Sequence, residues 1–209
     1  MVSKVLKENL IYLILLILLI ISFVLLFNSS LYNNIELIDY KVFEIISNIA
    51  NDNLTFVFKI ITFLGDFYIP IIIIVCLFLI FQNKLYTYLL SFSYLFTGMV
   101  TFIIKSLILR SRPTIALIMI PKSYSFPSGH TLTSFVFYIL LCYLLTIKSE
   151  KRVKILFYLL TLLLVILISF SRVYLGVHFF SDVIGGLIIG IITLVLIINI
   201  IRKNFKEKL

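Results

Sequence analysis

Leu10–Phe27 is a run of eighteen residues in which only Tyr12 and Ser22 carry polar side-chain atoms, and five further apolar runs follow it. These cover about 54–81, 85–109, 127–147, 155–170 and 180–201. Roughly 20 apolar residues cross a bilayer as a helix, and a helix satisfies its backbone polar groups where water cannot. The chain is 62% hydrophobic and 13% charged over 209 residues, with a mean hydropathy of +1.21, so it has too little polar surface to cover a soluble core. The expected fold is all-α: a polytopic membrane helical bundle with six transmembrane helices, forming one domain over 1–209 without internal repeats.

The first run follows Lys4 and Lys7 but is longer than a signal h-region, and Asn28-Ser29-Ser30 matches a cleavage site poorly, so it reads as an uncleaved span. In 36–51, Ile38, Val42, Ile45, Ile46 and Ile49 recur at helical spacing, with Asp39, Lys41, Glu44 and Asn48 between them. That pattern predicts a short interfacial helix lying across the mouths of the spans on the extracytoplasmic side. Gly65-Asp66 suggests a break in the second span and Pro70 a kink. Cys76 and Cys142 fall inside spans and read as buried small apolar residues. A formal charge of +9 does not indicate nucleic acid, because the basic residues are scattered between apolar runs and form no continuous face.

Eleven of the eighteen basic residues fall on one side if the N-terminus is cytoplasmic: Lys4, Lys7, Lys84, Lys148, Lys151, Arg152, Lys154, Arg202, Lys203, Lys206 and Lys208. The positive-inside rule then predicts a multi-pass cell-membrane protein with both termini cytoplasmic. Three polar clusters share the opposite, extracytoplasmic face. In the first, Lys105 and Arg112 are seven residues apart, which places them on one face of a helix that Pro113 ends. In the second, Ser128, Gly129 and His130 open the fourth span. The third holds Arg172, His178 and Asp182, and the four-residue spacing of the last two sets imidazole and carboxylate on one helix face if the segment is helical.

Arginines grip phosphate through paired hydrogen bonds and lysine acts as a point charge, so Lys105, Arg112 and Arg172 point to a phosphate ligand. Ser128 and Gly129 at a helix start add an anion site; ordinary N-capping by Ser128 is the competing reading of that segment, and the adjacent His130 tilts the balance toward the anion site. His178, oriented by Asp182, is placed to attack phosphorus, and His130 to protonate the departing oxygen and later activate water. No carboxylate or histidine set resembles a magnesium or zinc site, which predicts chemistry without a metal or other cofactor.

Lys105-x6-Arg112-Pro113, Pro127-Ser128-Gly129-His130 and Ser171-Arg172-x5-His178-x3-Asp182 together resemble the three-part signature of the type 2 phosphatidic acid phosphatase family. Thr62-x-Leu64-Gly65 is similar to a weaker element of its bacterial members. The resemblance implies a phosphohistidine at His178 and acid–base work by His130. It assigns phosphate binding to Lys105, Arg112, Ser128, Gly129 and Arg172. The implied activity is removal of the terminal phosphate from a membrane lipid such as phosphatidylglycerophosphate, undecaprenyl diphosphate or phosphatidic acid. A non-catalytic lipid-phosphate binding or carrier protein on the same fold is the competing reading. Richness in Ile, Lys and Asn suggests an AT-rich bacterial source.

Overall fold

In the computed structural model, residues 2–80 and 84–205 are described, with side chains from Leu10 onward. The predicted end of the second span at Phe81, the turn residue Asn83, and Lys206 and Lys208 lie outside the described residues, as do the side chains of Lys4 and Lys7. Eight helices follow in order: α1 (Val2–Phe27), α2 (Tyr32–Ile49), α3 (Asp52–Phe63), α4 (Tyr68–Ile80), α5 (Leu85–Ile108), α6 (Gly129–Thr146), α7 (Lys151–Tyr174) and α8 (Phe180–Phe205). Among the described residues, five are long and apolar enough to cross a membrane unaided, and α3 and α4, bent by 45° at their break, together meet the same length and apolarity as one broken span.

The most buried of these is α6, packed against α5, α7 and α8. Its Leu132, Val136, Phe137, Leu140 and Leu144 are almost wholly buried. On the facing side of α5, the hydroxyls of Thr97 and Thr101 donate to the carbonyls one turn back, at 2.6 and 2.9 Å. Small polar side chains that satisfy themselves this way let two membrane helices approach closely. Gly185 and Gly186 serve the same end on α8, since a Cβ at the first would enter the Phe126 ring and one at the second would lie 3.1 Å from the Ser128 carbonyl. Outward, large apolar side chains such as Leu95 and Phe102 are 71% exposed, as a bilayer-facing surface requires.

Several local expectations change. The second span breaks at 64–67, and Pro70 lies in the first turn of α4, where its missing N–H costs nothing, so it is not the source of the bend. Leu109 adopts a left-handed conformation (φ 54°) that closes α5 four residues before Pro113. Arg112 is therefore in the loop, and the predicted shared helix face with Lys105 does not exist. The fifth span is longer than expected, taking in Lys151 at its start and Arg172 in its last turn. Cys142 is buried, but Cys76 faces outward.

Candidate active site

The end of α7 sets the geometry. Leu175 and Gly176 cap it through N–H bonds to Ser171 and Val173, and Gly176 turns the chain with φ +69°, close against the Ile115 carbonyl. Val177 and His178 then both donate N–H to the Arg172 carbonyl, at 3.2 and 3.3 Å. His178 thus precedes α8, and the expected common helix face is replaced by a junction. Asp182, in the first turn of α8, accepts from the Phe179 N–H at 2.9 Å, the reciprocal half of a capping box. The same oxygen accepts from Ser125 Oγ at 2.5 Å and faces His178 Nδ1 at 3.3 Å.

With Nδ1–H directed at Asp182, Nε2 of His178 carries the lone pair, and Arg112 Nη1 donates to it at 3.1 Å. His178 is 3% exposed, and burial pushes its pKa down to about 3 against the opposing hydrogen bond and charge of Asp182. Arg112 also donates to the carbonyls of Val177 (2.6 Å), Ser123 (2.7 Å) and Tyr124 (3.3 Å). Lys105 reaches that same Tyr124 carbonyl and the Ser125 carbonyl. The two cations thus converge through the loop backbone.

Arg172 is 3% exposed and donates to Thr62 Oγ1 at 2.6 Å, while its buried Nε has no hydrogen-bond partner among the described residues. A buried guanidinium N–H without an acceptor is costly and marks a place for an anion. Ser128 caps α6 by accepting from the Thr131 N–H and hydroxyl, so its own oxygen is engaged in the cap. The first N–H groups of α6, beginning at Gly129, lack carbonyl partners within the helix.

His130 Nε2 donates to Asp66 at 2.8 Å, a second imidazole–carboxylate pair. Beside the pair, an apolar cavity of about 500 Å³ is lined by Gly65, Gly98, Thr101, Phe102, Gly129 and His130. Among the described residues, no group of three or more His, Cys, Asp or Glu converges as metal ligands would.

Five participants escape the sequence patterns: Thr62, Asp66, Ser125, Arg110 and Asp39. Thr62 and Asp66 belong to or adjoin the Thr62-x-Leu64-Gly65 element, which gave no hint of their partners. Arg110 is 5% exposed, bonded to Asp39 at 2.7 Å and Asp182 at 2.5 Å. Asp39 had a legible sign. It falls on the stripe of Val42 and Ile46, which pack against α7 and the α7–α8 turn, so its charge is on the inward face rather than the polar one.

A family model described as the PAP2 superfamily matches residues 86–206. Phosphatidylglycerophosphatase B of Bacillus subtilis is 33% identical over 154 residues, covering 71% of this chain and 73% of the relative. Lipid phosphate phosphatase delta of Arabidopsis thaliana is 41% identical over 83 residues, covering 38% of this chain and 20% of that one. Among solved structures, a transmembrane PAP2 type phosphatidylglycerolphosphate phosphatase from Bacillus subtilis superposes with a TM-score of 0.77 at 24% identity, covering 96% of both chains. LpxE of Aquifex aeolicus gives 0.60 at 25%, covering 76% of this chain and 93% of that one.

Proposed function

The chain belongs to the PAP2 superfamily of membrane phosphatases, and on that premise we propose that it hydrolyses the terminal phosphate of a membrane lipid phosphate or diphosphate through a phosphohistidine at His178. The observation that carries this reading is the line Asp182–His178–Arg112, with a neutral imidazole nitrogen facing a guanidinium and the orphaned Arg172 N–H nearby in the fold. The whole of 1–209 acts as one catalytic unit.

Nε2 of His178 attacks phosphorus, forming an N–P bond as the lipid P–O bond breaks. His130, as the imidazolium held by Asp66, gives the proton on its other ring nitrogen to the departing oxygen and becomes neutral. A water molecule, deprotonated by His130, then attacks phosphorus, and the N–P bond breaks to release orthophosphate and neutral His178. Arg112, Arg172, Lys105 and the N–H groups opening α6 at Gly129 neutralise the equatorial oxygens, with Ser128 holding that helix start in place. A donor set dominated by cations suits a phosphate dianion and repels a dication, so the reaction proceeds without a metal.

The apolar cavity beside His130 supports a substrate whose chain stays in lipid. The Bacillus relative's name makes phosphatidylglycerophosphate the first substrate to try, followed by undecaprenyl diphosphate and phosphatidic acid. The site faces the extracytoplasmic side, with both termini in the cytoplasm.

The test is phosphate release by purified protein from each lipid in the presence of chelator. Full activity is expected, with none in His178→Ala. With an activated aryl phosphate, which needs no acid, His130→Ala should accumulate an acid-labile, base-stable phosphoenzyme. An active His178→Ala variant would sink the mechanism, and retained lipid-phosphate binding without turnover would favour the carrier reading.

A further inference from the structure

The guanidinium of Arg110 is enclosed by three helices and the segment that leads into the last of them. From α2 come Asp39, with Oδ2 accepting at 2.7 Å, and the Tyr32 hydroxyl, accepting at 3.1 Å. From the start of α8 come Ser181 Oγ at 2.7 Å and Asp182 Oδ1 at 2.5 Å. The rings of Phe27 on α1, Tyr32 on α2 and Phe179 before α8 pack around its cationic carbon at 5.3, 5.4 and 4.1 Å. Asp39 also accepts from the Ser181 N–H and hydroxyl, at 2.9 and 2.6 Å. The carboxylate facing His178 is thus held on one oxygen by Ser125 and on the other by Arg110, which is anchored in turn by the amphipathic helix.

We propose that Arg110 and Asp39 are positioning residues of the phosphatase site, a charge chain through which helix α2 holds Asp182 in register behind His178. Neither touches the phosphate. Asp39 fixes the guanidinium, the guanidinium fixes Asp182, and Asp182 fixes the tautomer and plane of the imidazole. The charged and titratable groups facing Asp182 are Arg110, His178 and, at longer range, Lys105 and Arg112. Only Arg110 both bonds the carboxylate directly and ties it to another helix.

This rests on the proposed role of His178, so the experiment carries a control for it. Arg110→Gln, Arg110→Lys, Asp39→Asn and His178→Ala are compared with the unaltered chain for kcat, KM and thermal midpoint in the same detergent. Arg110→Gln should lower kcat by roughly 10- to 100-fold, as loss of an outer partner of an oriented histidine usually does, while KM changes less than about 2-fold. Arg110→Lys keeps the charge and should recover part of kcat. Asp39→Asn should lower kcat in the same sense but by less. If Arg110→Gln does not fold, the lysine and asparagine variants still decide the question.

Variants that lower the thermal midpoint yet keep kcat per folded molecule would reduce the chain to a structural brace and overturn the proposal. So would an Arg110→Lys variant no better than the glutamine. An active His178→Ala variant would instead overturn the underlying mechanism.

Discussion

Two imidazole–carboxylate pairs occupy one end of the bundle, and they differ in their access to solvent. The His178 and Asp182 side chains are 2% and 0% exposed, those of His130 and Asp66 21% and 40%. That difference fits the proposed roles, since a nucleophile gains from being sealed and neutral, whereas an acid that must exchange protons with leaving group and water gains from an opening. Burial places the folded pKa of His178 at about 3, below the roughly 6.5 of a free imidazole. Unfolded chains therefore take up a proton at His178 as pH falls below about 6.5, and folded ones do not until about 3, so this group removes stability progressively across that window. The thermal midpoint is expected to drop between about pH 7 and pH 4.5, and to drop less steeply in His178→Gln. Imidazole nitrogen resonances should show no His178 titration between pH 5 and 8; a midpoint near 6.5 would contradict the sealed pair.

At the scale of elements, the site is made by helix ends and the short segments that join them. α7 ends two residues after Arg172, Gly176 reverses the chain, and α8 starts two residues after His178. No L side chain suits Gly176, because φ is +69° and a Cβ there would press on the Ile115 carbonyl. Gly176→Ala is expected to cost at least about 1 kcal/mol from the left-handed backbone alone. It should also lower kcat, since the displaced turn carries His178. Gly98→Ala, with nothing within 4 Å of the new methyl, serves as the comparison and should not lower the thermal midpoint. The break between α3 and α4 has a similar purpose: Gly65 passes so close to Ile168 and His130 that it delivers Asp66 to the imidazole.

At the scale of the molecule, the polar clusters lie at the end of the bundle opposite the Lys148–Lys154 turn, and membrane orientation then decides which compartment receives the phosphate. In a chain lacking Cys76 and Cys142, a cysteine at Lys122 should react with an impermeant maleimide on intact cells, and one at Ser149 should not; the reverse labelling would invert the topology. The spans, the interfacial helix and the three clusters were all legible in the residue string, because apolar run length and charge placement are local properties that the bilayer reads directly. The partners were not. Arg110, Asp39, Ser125, Thr62 and Asp66 meet their counterparts across separations of up to 142 residues, and nothing in the local sequence encodes which buried charge will find which. Even Lys105 and Arg112, correctly paired from their spacing, come together for another reason, the left-handed close of α5 at Leu109 and a shared carbonyl at Tyr124. Local pattern determined that this chain is a membrane bundle bearing three polar clusters at one end. Only the tertiary packing decided that Asp66 meets His130 and that Arg110 and Asp39 stand behind Asp182, because an ionised group in a low-dielectric interior must be met by whatever opposite charge the fold brings within reach.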